Sequence, residues 1–277
     1  MNGLNVVIPT DFSVQAEYAY LMVKNLETKI PINIHFLHVM QVPETVTMDV
    51  EGNIFTCGEI DAEYVETQRD IAQRKLNNLK TLYGDNIKVH LKLGKINDSI
   101  LEFSKEQKMD LIVMGTKGAF GLKEKLSGSS AQMLARKSTT PVLSLMCDRS
   151  DLQINNILLV HDFSKPEKLD LDVMHKMIES FSCKLHFLHI LSDKHHSNVA
   201  ALSQKADEFA QLNHIQNYEF HTVNDKDVES GVVHFNQMQD MDIICIGTHG
   251  KGGIFHTSAT EKLINHLFKP IISFHLN

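Results

Sequence analysis

Short, near-continuous apolar runs punctuate the first part of the chain: Leu4 to Ile8, Ile32 to Val39, Ile87 to Leu93, Leu111 to Met114 and Val142 to Met146. Runs this short, apolar at successive positions, predict strands covered on both faces. Between them the apolar period lengthens to that of a helix, as where Ala19, Met22, Val23 and Leu26 follow Asp11 and Ser13. The rest of the chain repeats the scheme. Strands are predicted at Ile157 to Val160, Leu185 to Ile190, Glu219 to Val223, Asp242 to Ile246 and Ile271 to His275. Leu171, Met174, Ile178 and Phe181 recur at helical spacing after Ser164, which forms a capping-box pattern with Glu167. Strand and helix in alternation predict an α/β chain built on parallel sheets.

The two halves also share wording. Asp110-Leu111-Ile112-Val113-Met114-Gly115-Thr116-Lys117-Gly118 returns as Asp242-Ile243-Ile244-Cys245-Ile246-Gly247-Thr248-His249-Gly250. Ile8-Pro9-Thr10-Asp11-Phe12-Ser13 returns as Leu159-Val160-His161-Asp162-Phe163-Ser164, and Ile34-His35-Phe36-Leu37-His38-Val39 as Leu185-His186-Phe187-Leu188-His189-Ile190. Three landmarks in one order identify a tandem repeat, and 277 residues is the length of about two domains. The polar stretch Asp148 to Gln153 marks the boundary, giving domains 1–150 and 151–277. The first copy carries about twenty more residues than the second between its Asp11 and Gly115 landmarks. Most lie in Gln41 to Glu63, a stretch without period at the carboxyl edge of the second strand. It reads either as a lid over a ligand site or as a surface excursion.

Composition narrows the function classes. Net charge is -7, and the 27 Lys and Arg residues are scattered, which argues against nucleic acid as a partner. Cys57, Cys147, Cys183 and Cys245 form no CxxC pair, and the last two sit in apolar runs, as expected in a reducing compartment. Met1-Asn2-Gly3-Leu4-Asn5 lacks the features of a signal peptide, and no run approaches the ~18 apolar residues of a membrane span. The expectation is a soluble, cytoplasmic protein with no membrane partner.

Gly115 and Gly118 follow a buried strand, and nine residues later Gly128-Ser129-Ser130 opens the helical stretch Ala131 to Lys137. Glycine admits a ligand close to the backbone, and a helix start offers unpaired N-H groups, so the pattern suits a phosphate cradle. The residues alone leave a plain turn equally open, because Ser129 with Gln132 makes a capping box that satisfies the helix start without a ligand.

With that spacing (glycine, two residues, glycine, nine residues, glycine and serine), the chain resembles the universal stress protein family. The resemblance extends over both halves through Asp11, Leu37-His38-Val39 and Pro141-Val142-Leu143. It implies two tandem doubly wound domains, each a five-stranded parallel sheet in the order 3-2-1-4-5 flanked by helices, packed as an internal pseudo-dimer through their last strands. It further implies an adenine-nucleotide site for ATP, ADP or AMP, with Mg or Mn held mainly by the phosphates. Pro9, Thr10 and Asp11 would lie against the adenine, and Val39 would offer backbone contacts to it. Met114 and Gly115 would flank the ribose and α-phosphate, and Gly118, Gly128, Ser129 and Ser130 would hold the phosphates. Asp11 also has a helix-capping role open to it.

The second half departs from this pattern. Three residues are missing from its turn, Thr257-Ser258 stands where Gly128-Ser129 stands in the first copy, and His161 replaces Thr10. Ser258 keeps a capping-box partner in Glu261, so the expectation is a preserved helix without an anion site. One competent nucleotide site is therefore expected, in a stress-response regulatory protein. The alternatives are an interaction module that binds no nucleotide, with a homodimer and an unidentified protein partner left open, or a ligand or metal site in the second domain.

No catalytic residue and no metal-ligand set is predicted. His35 and His38, like His186 and His189, are three apart in strands and point to opposite faces. His195-His196, and the His249 and His256 that flank the second glycine turn, lack a fixed third ligand. There is no GxxxxGK[ST] loop, GxSxG elbow or HExxH pair, so slow ATP hydrolysis is the most that is expected of the chain as an enzyme.

Overall fold

The computed structural model describes residues 3–49, 51–57, 60–116, 130–163, 167–191, 199–249 and 256–276. The first half runs β1 (Leu4–Pro9), α1 (Val14–Glu27), β2 (Ile32–Met40), β3 (Val46–Met48), β4 (Ile54–Thr56), α2 (Ala62–Tyr83), β5 (Lys88–Leu93), α3 (Ile96–Glu106), β6 (Leu111–Gly115), α4 (Ser130–Lys137) and β7 (Val142–Leu145). The second runs β8 (Asn156–Val160), α5 (Asp172–Phe181), β9 (Lys184–Leu191), α6 (Val199–Leu212), β10 (Glu219–Asn224), α7 (Val228–Met238), β11 (Ile243–His249), α8 (His256–His266) and β12 (Ile271–Leu276).

Ten of the strands form one sheet in the order β10-β9-β8-β11-β12-β7-β6-β1-β2-β5. Each half contributes five parallel strands in the order third, second, first, fourth, fifth, as expected. The halves meet where β7 and β12 pair antiparallel, with Leu143 opposite Ile272. Alternate strand residues feed opposite layers: Val6 and Ile8 pack with α1, α2, α5 and α6, and Val7 packs with α3, α4, α7 and α8. Both faces are therefore covered, which is why the strands read as unbroken apolar runs. The buried residues of α1 include Ala19, Met22, Val23 and Leu26, the positions its period picked out. The connector between the halves is tied down by Asn25, whose amide donates to the carbonyls of Arg149 at 3.0 Å and Leu152 at 2.8 Å.

Two local expectations are corrected. Part of the aperiodic stretch after β2 is a β3–β4 hairpin in which Val46 and Ile54 bury against Val65 of α2. Its turn is closed by Asp49, whose carboxylate accepts from the N-H groups of Glu51 and Asn53, both at 2.9 Å. Helix α5 starts at Asp172, well beyond Ser164, because the Glu167 carboxylate is engaged by His161 instead of a helix start. Helix α8 is described from His256 to His266, and the capping role expected of the Ser258 side chain lies outside what the described residues cover.

Candidate nucleotide crevice

Strand order reverses direction of growth at β1, whose neighbours are β2 and β6, and open α/β sheets bind ligands beyond the carboxyl ends of strands at such a point. Pro9, Thr10 and Asp11 lie at the carboxyl end of β1, Val39 near that of β2, and Met114 and Gly115 at that of β6. Ser130 opens α4 and is half-buried. Gly118, Gly128 and Ser129 lie outside the described residues. The side chains of Val39 and Met114 are buried in the layer under α3 and α4.

The turn leaving β1 is held by its own polar groups. Thr10 N-H donates to the Leu37 carbonyl at 2.9 Å, and Thr10 Oγ1 accepts from Phe12 N-H at 3.0 Å. His38 Nδ1 donates to the Thr10 carbonyl at 2.7 Å, locking β2 to the turn. Phe12 sits at φ 65°, a left-handed conformation rare for a bulky residue and a mark of a constrained site. Asp11 is exposed; its Oδ1 accepts from Ser13 N-H at 3.0 Å, while Ser13 itself caps α1. Asp11 thus shapes the approach to the helix one step before the cap.

At the end of β6 the glycine has a reason that needs no ligand. A Cβ on Gly115 would stand 1.9 Å from the Gln15 carbonyl oxygen, so the first turn of α1 lies where a side chain would be. The next residue differs in kind. Thr116 is buried and, among the described residues, its Oγ1 finds no hydrogen-bond partner, an arrangement that costs about 1–3 kcal/mol unless another group claims it.

The second half closes the equivalent crevice with its own side chains. His161 Nδ1 accepts from Phe163 N-H at 2.9 Å, reproducing the Thr10 bond, which leaves Nε2 to donate to Glu167 at 2.9 Å. Phe163 is fully buried, and its ring meets those of Phe187 at 5.1 Å, Phe209 at 5.3 Å and Phe220 at 5.8 Å. Its counterpart Phe12 is only partly buried against the core and lies tilted against His38, with ring centroids 4.6 Å apart. Asn213 seals the rim, accepting from Leu169 N-H and donating to the Glu167 carbonyl, both at 2.8 Å. Thr248, counterpart of Thr116, is satisfied by the carbonyls of Ala135 at 2.9 Å and Phe274 at 3.3 Å.

The universal stress protein family model matches residues 4–145, about half of the chain. The chain belongs to the universal stress protein family. It is 30% identical over 146 residues to universal stress protein MJ0531 of Methanocaldococcus jannaschii, covering 51% of this chain and 84% of that one. A second relative from that organism, universal stress protein MJ0577, is 28% identical over 148 residues, covering 50% and 91%. The crystal structure of a universal stress protein from Archaeoglobus fulgidus DSM 4304 is 18% identical and superimposes over 99% of both chains with a TM-score of 0.72, a likeness of fold.

Several parts of this universal stress protein fold were not marked by its motifs. Thr116 carries no motif of its own, and only its burial reveals it. Lys75, on α2, holds its Nζ 5.2 Å from the Phe12 ring centroid, a cation at the crevice rim that only tertiary packing could bring there. The histidines three apart do face opposite sides, yet His35 finds a partner on the next strand: its Nδ1 lies 3.1 Å from His90 Nε2. Burial, then the His90 and Lys88 charges, push the His35 pKa down to about 4. Burial lowers that of His90 as well. Among the described residues, no helix is long and apolar enough to cross a membrane.

Proposed function

We propose that the first half of this universal stress protein binds an adenine nucleotide and that the chain acts as a nucleotide-dependent regulatory protein, with residues 1–150 as the binding unit. Pro9, Thr10, Asp11 and the Val39 backbone would receive the base. Met114 and Gly115 would border the ribose and α-phosphate, and Gly118, Gly128, Ser129 and Ser130 would cradle the phosphates. A divalent ion would be held mainly by those phosphates.

The observation that carries this reading is the contrast between the two crevice ends. Among the described residues a buried hydroxyl is unclaimed at Thr116 and claimed at Thr248, and Phe12 after β1 is only partly buried where His161, Phe163 and Phe209 are buried together in its twin. Both differences favour a polar ligand in the first half. The close fit of Gly115 against Gln15 is neutral here, since packing alone accounts for it.

The test is direct. Mass spectrometry of the denatured, freshly purified chain should release adenine nucleotide at no more than one equivalent, and Gly128→Glu should abolish it while leaving the circular dichroism spectrum unchanged. A wild-type chain that releases no nucleotide and takes up no ATP in calorimetry ends this reading.

A further inference from the structure

At the outer edge of the second half, three side chains from neighbouring strands converge. His186 lies on β9, while Glu219 and His221 lie on β10, two residues apart and so on one face of the sheet. The strand register sets Glu219 directly opposite His186. His186 Nδ1 is 3.0 Å from His221 Nε2 and 3.5 Å from Glu219 Oε2, and His221 Nε2 is 3.9 Å from that oxygen. Ligands bonded at about 2.0–2.1 Å to a tetrahedral ion stand about 3.3 Å apart, a value these separations bracket.

The ring of His186 is also oriented as a ligand requires. Its Nε2 faces the Asn156 side-chain oxygen at 3.3 Å. An amide oxygen only accepts, so Nε2 carries the proton and Nδ1 presents its lone pair to the other two groups, the outer-shell arrangement common to metal-bound histidines. The side chains of His186 and His221 are 5% and 20% exposed and that of Glu219 is 55%, so two shielded nitrogens sit behind an oxygen that reaches water. Phe235 covers the His221 ring with centroids 5.0 Å apart.

The first half supplies an internal control. His35 and His90 keep the same cross-strand spacing, 3.1 Å, but the residue opposite His35 is Lys88. Asn5, which takes the place of Asn156, accepts from Asn33 instead, and His35 Nε2 is left without a partner among the described residues. Where Asn33 stands opposite Asn5, Lys184 stands opposite Asn156, which frees the amide for His186. A bare imidazole pair would serve both halves equally, whereas the carboxylate and the orienting amide occur only in the second.

We propose that His186, Glu219 and His221 form a site for a divalent transition-metal ion of the zinc type, with its fourth position open to water or an exogenous ligand. Two imidazole nitrogens and one carboxylate suit such an ion and not magnesium or calcium, which take oxygen donors. The site stands near the amino ends of β9 and β10, away from the crevice edge, and is independent of the nucleotide reading.

Full-length protein, stripped with chelator and free of nucleotide, would be titrated with zinc chloride by calorimetry and with cobalt(II) by visible absorption. One equivalent is expected, with the intense absorption of four-coordinate cobalt. Asn156→Leu should weaken binding about 10–100-fold. Glu219→Lys, which installs the first half's residue at an exposed position, should remove the equivalent and the cobalt absorption with an unchanged circular dichroism spectrum. A wild-type chain that binds no zinc overturns the proposal, as does binding undiminished in Glu219→Lys, which would place the ion on other histidines. Either failure leaves nucleotide release from the first half unaffected.

Discussion

Gly115→Ala separates two reasons for a glycine that a sequence motif merges. Motif reasoning assigns the position to close approach of a ligand; the structure assigns it to close approach of a helix. The added Cβ would lie 1.9 Å from the Gln15 carbonyl oxygen, 2.4 Å from its carbon and 2.9 Å from its Cα. Non-bonded contacts of this kind do not fall below roughly 3 Å, so the first turn of α1 must retreat by about 1 Å or β6 must bend. The obstacle is backbone, which no rotamer change can move. Behind it, Ala16, Ala19, Tyr20, Met22, Val23 and Leu26 are packed into the core, so the helix cannot shift without loosening them. Overpacking costs about 1–3 kcal/mol where side chains can adjust, and a clash with fixed backbone belongs at the top of that range. At 3 kcal/mol the thermal midpoint of the first half should fall by about 6–12 °C. The assay is urea and thermal unfolding of nucleotide-free protein. Gly52→Ala serves as comparison: it is strained by φ 90° but meets nothing within 4 Å, and should cost about 1 kcal/mol. If ligand-free Gly115→Ala unfolds with the wild type and only nucleotide binding is lost, the packing argument is refuted.

The remaining predictions concern the side chains that distinguish the halves. Above pH 6.5 His35 is neutral in both the folded and unfolded chain; below it the unfolded chain takes up a proton that the folded one refuses until about pH 4. The His35 contribution to stability should therefore fall by about 3 kcal/mol across that window, and His35→Leu should reduce the slope of urea midpoint against pH; an unchanged slope would assign the acid sensitivity to other groups. Phe163→Ala should cost about 3–5 kcal/mol, since the ring is fully buried, and Phe12→Ala clearly less; equal costs in urea unfolding would mean the two crevice ends are filled alike. Asn213→Ala should cost about 1–3 kcal/mol by stranding Leu169 N-H and the Glu167 carbonyl, and an unchanged midpoint would show that water replaces it.

What could be read from the sequence follows from which interactions are local. The eight inner strands of the large sheet were legible because both faces are covered, so that burial writes itself as apolar runs such as Leu111 to Met114, whereas the edge strands β5 and β10 hold no buried residue and mix polar with apolar positions. The α1 start was legible because Ser13 caps it from within the same turn. The β3–β4 hairpin was not, because only Val46 and Ile54 of its strands are buried and two residues set no period. The α5 start was misplaced for a related reason: Ser164 and Glu167 have capping spacing, but the Glu167 carboxylate is drawn away by His161, six residues earlier in the chain and brought near only by the fold. The His186, Glu219 and His221 cluster was invisible because its geometry depends on the β9–β10 register, and spacing along the chain cannot express it. The crevice was partly legible: the family resemblance named the residues at the ends of β1, β2 and β6, while the Thr116 hydroxyl, unclaimed among the described residues, appears only once burial and partners are known.

The repeat makes each half the reference for the other. Both keep the turn after the first strand in a left-handed step, at Phe12 and Phe163, and both keep a buried acceptor two residues before the aromatic N-H. Changing that acceptor from the Thr10 hydroxyl to the His161 imidazole preserves the backbone bond and adds a ring, which with Phe163 and Phe209 occupies the space beyond the strand. Among the described residues the first half thus spends little side-chain volume at the crevice and leaves the Thr116 hydroxyl unmet, whereas the second fills the space with rings and leaves the buried His189 Nδ1 unmet. Restoring threonine at His161 alone should not reopen the second crevice, because Phe163 stays anchored by Phe187 and Phe220. The filling of the space beyond β8 is built into a packed aromatic cluster, and packed clusters do not open by single substitutions.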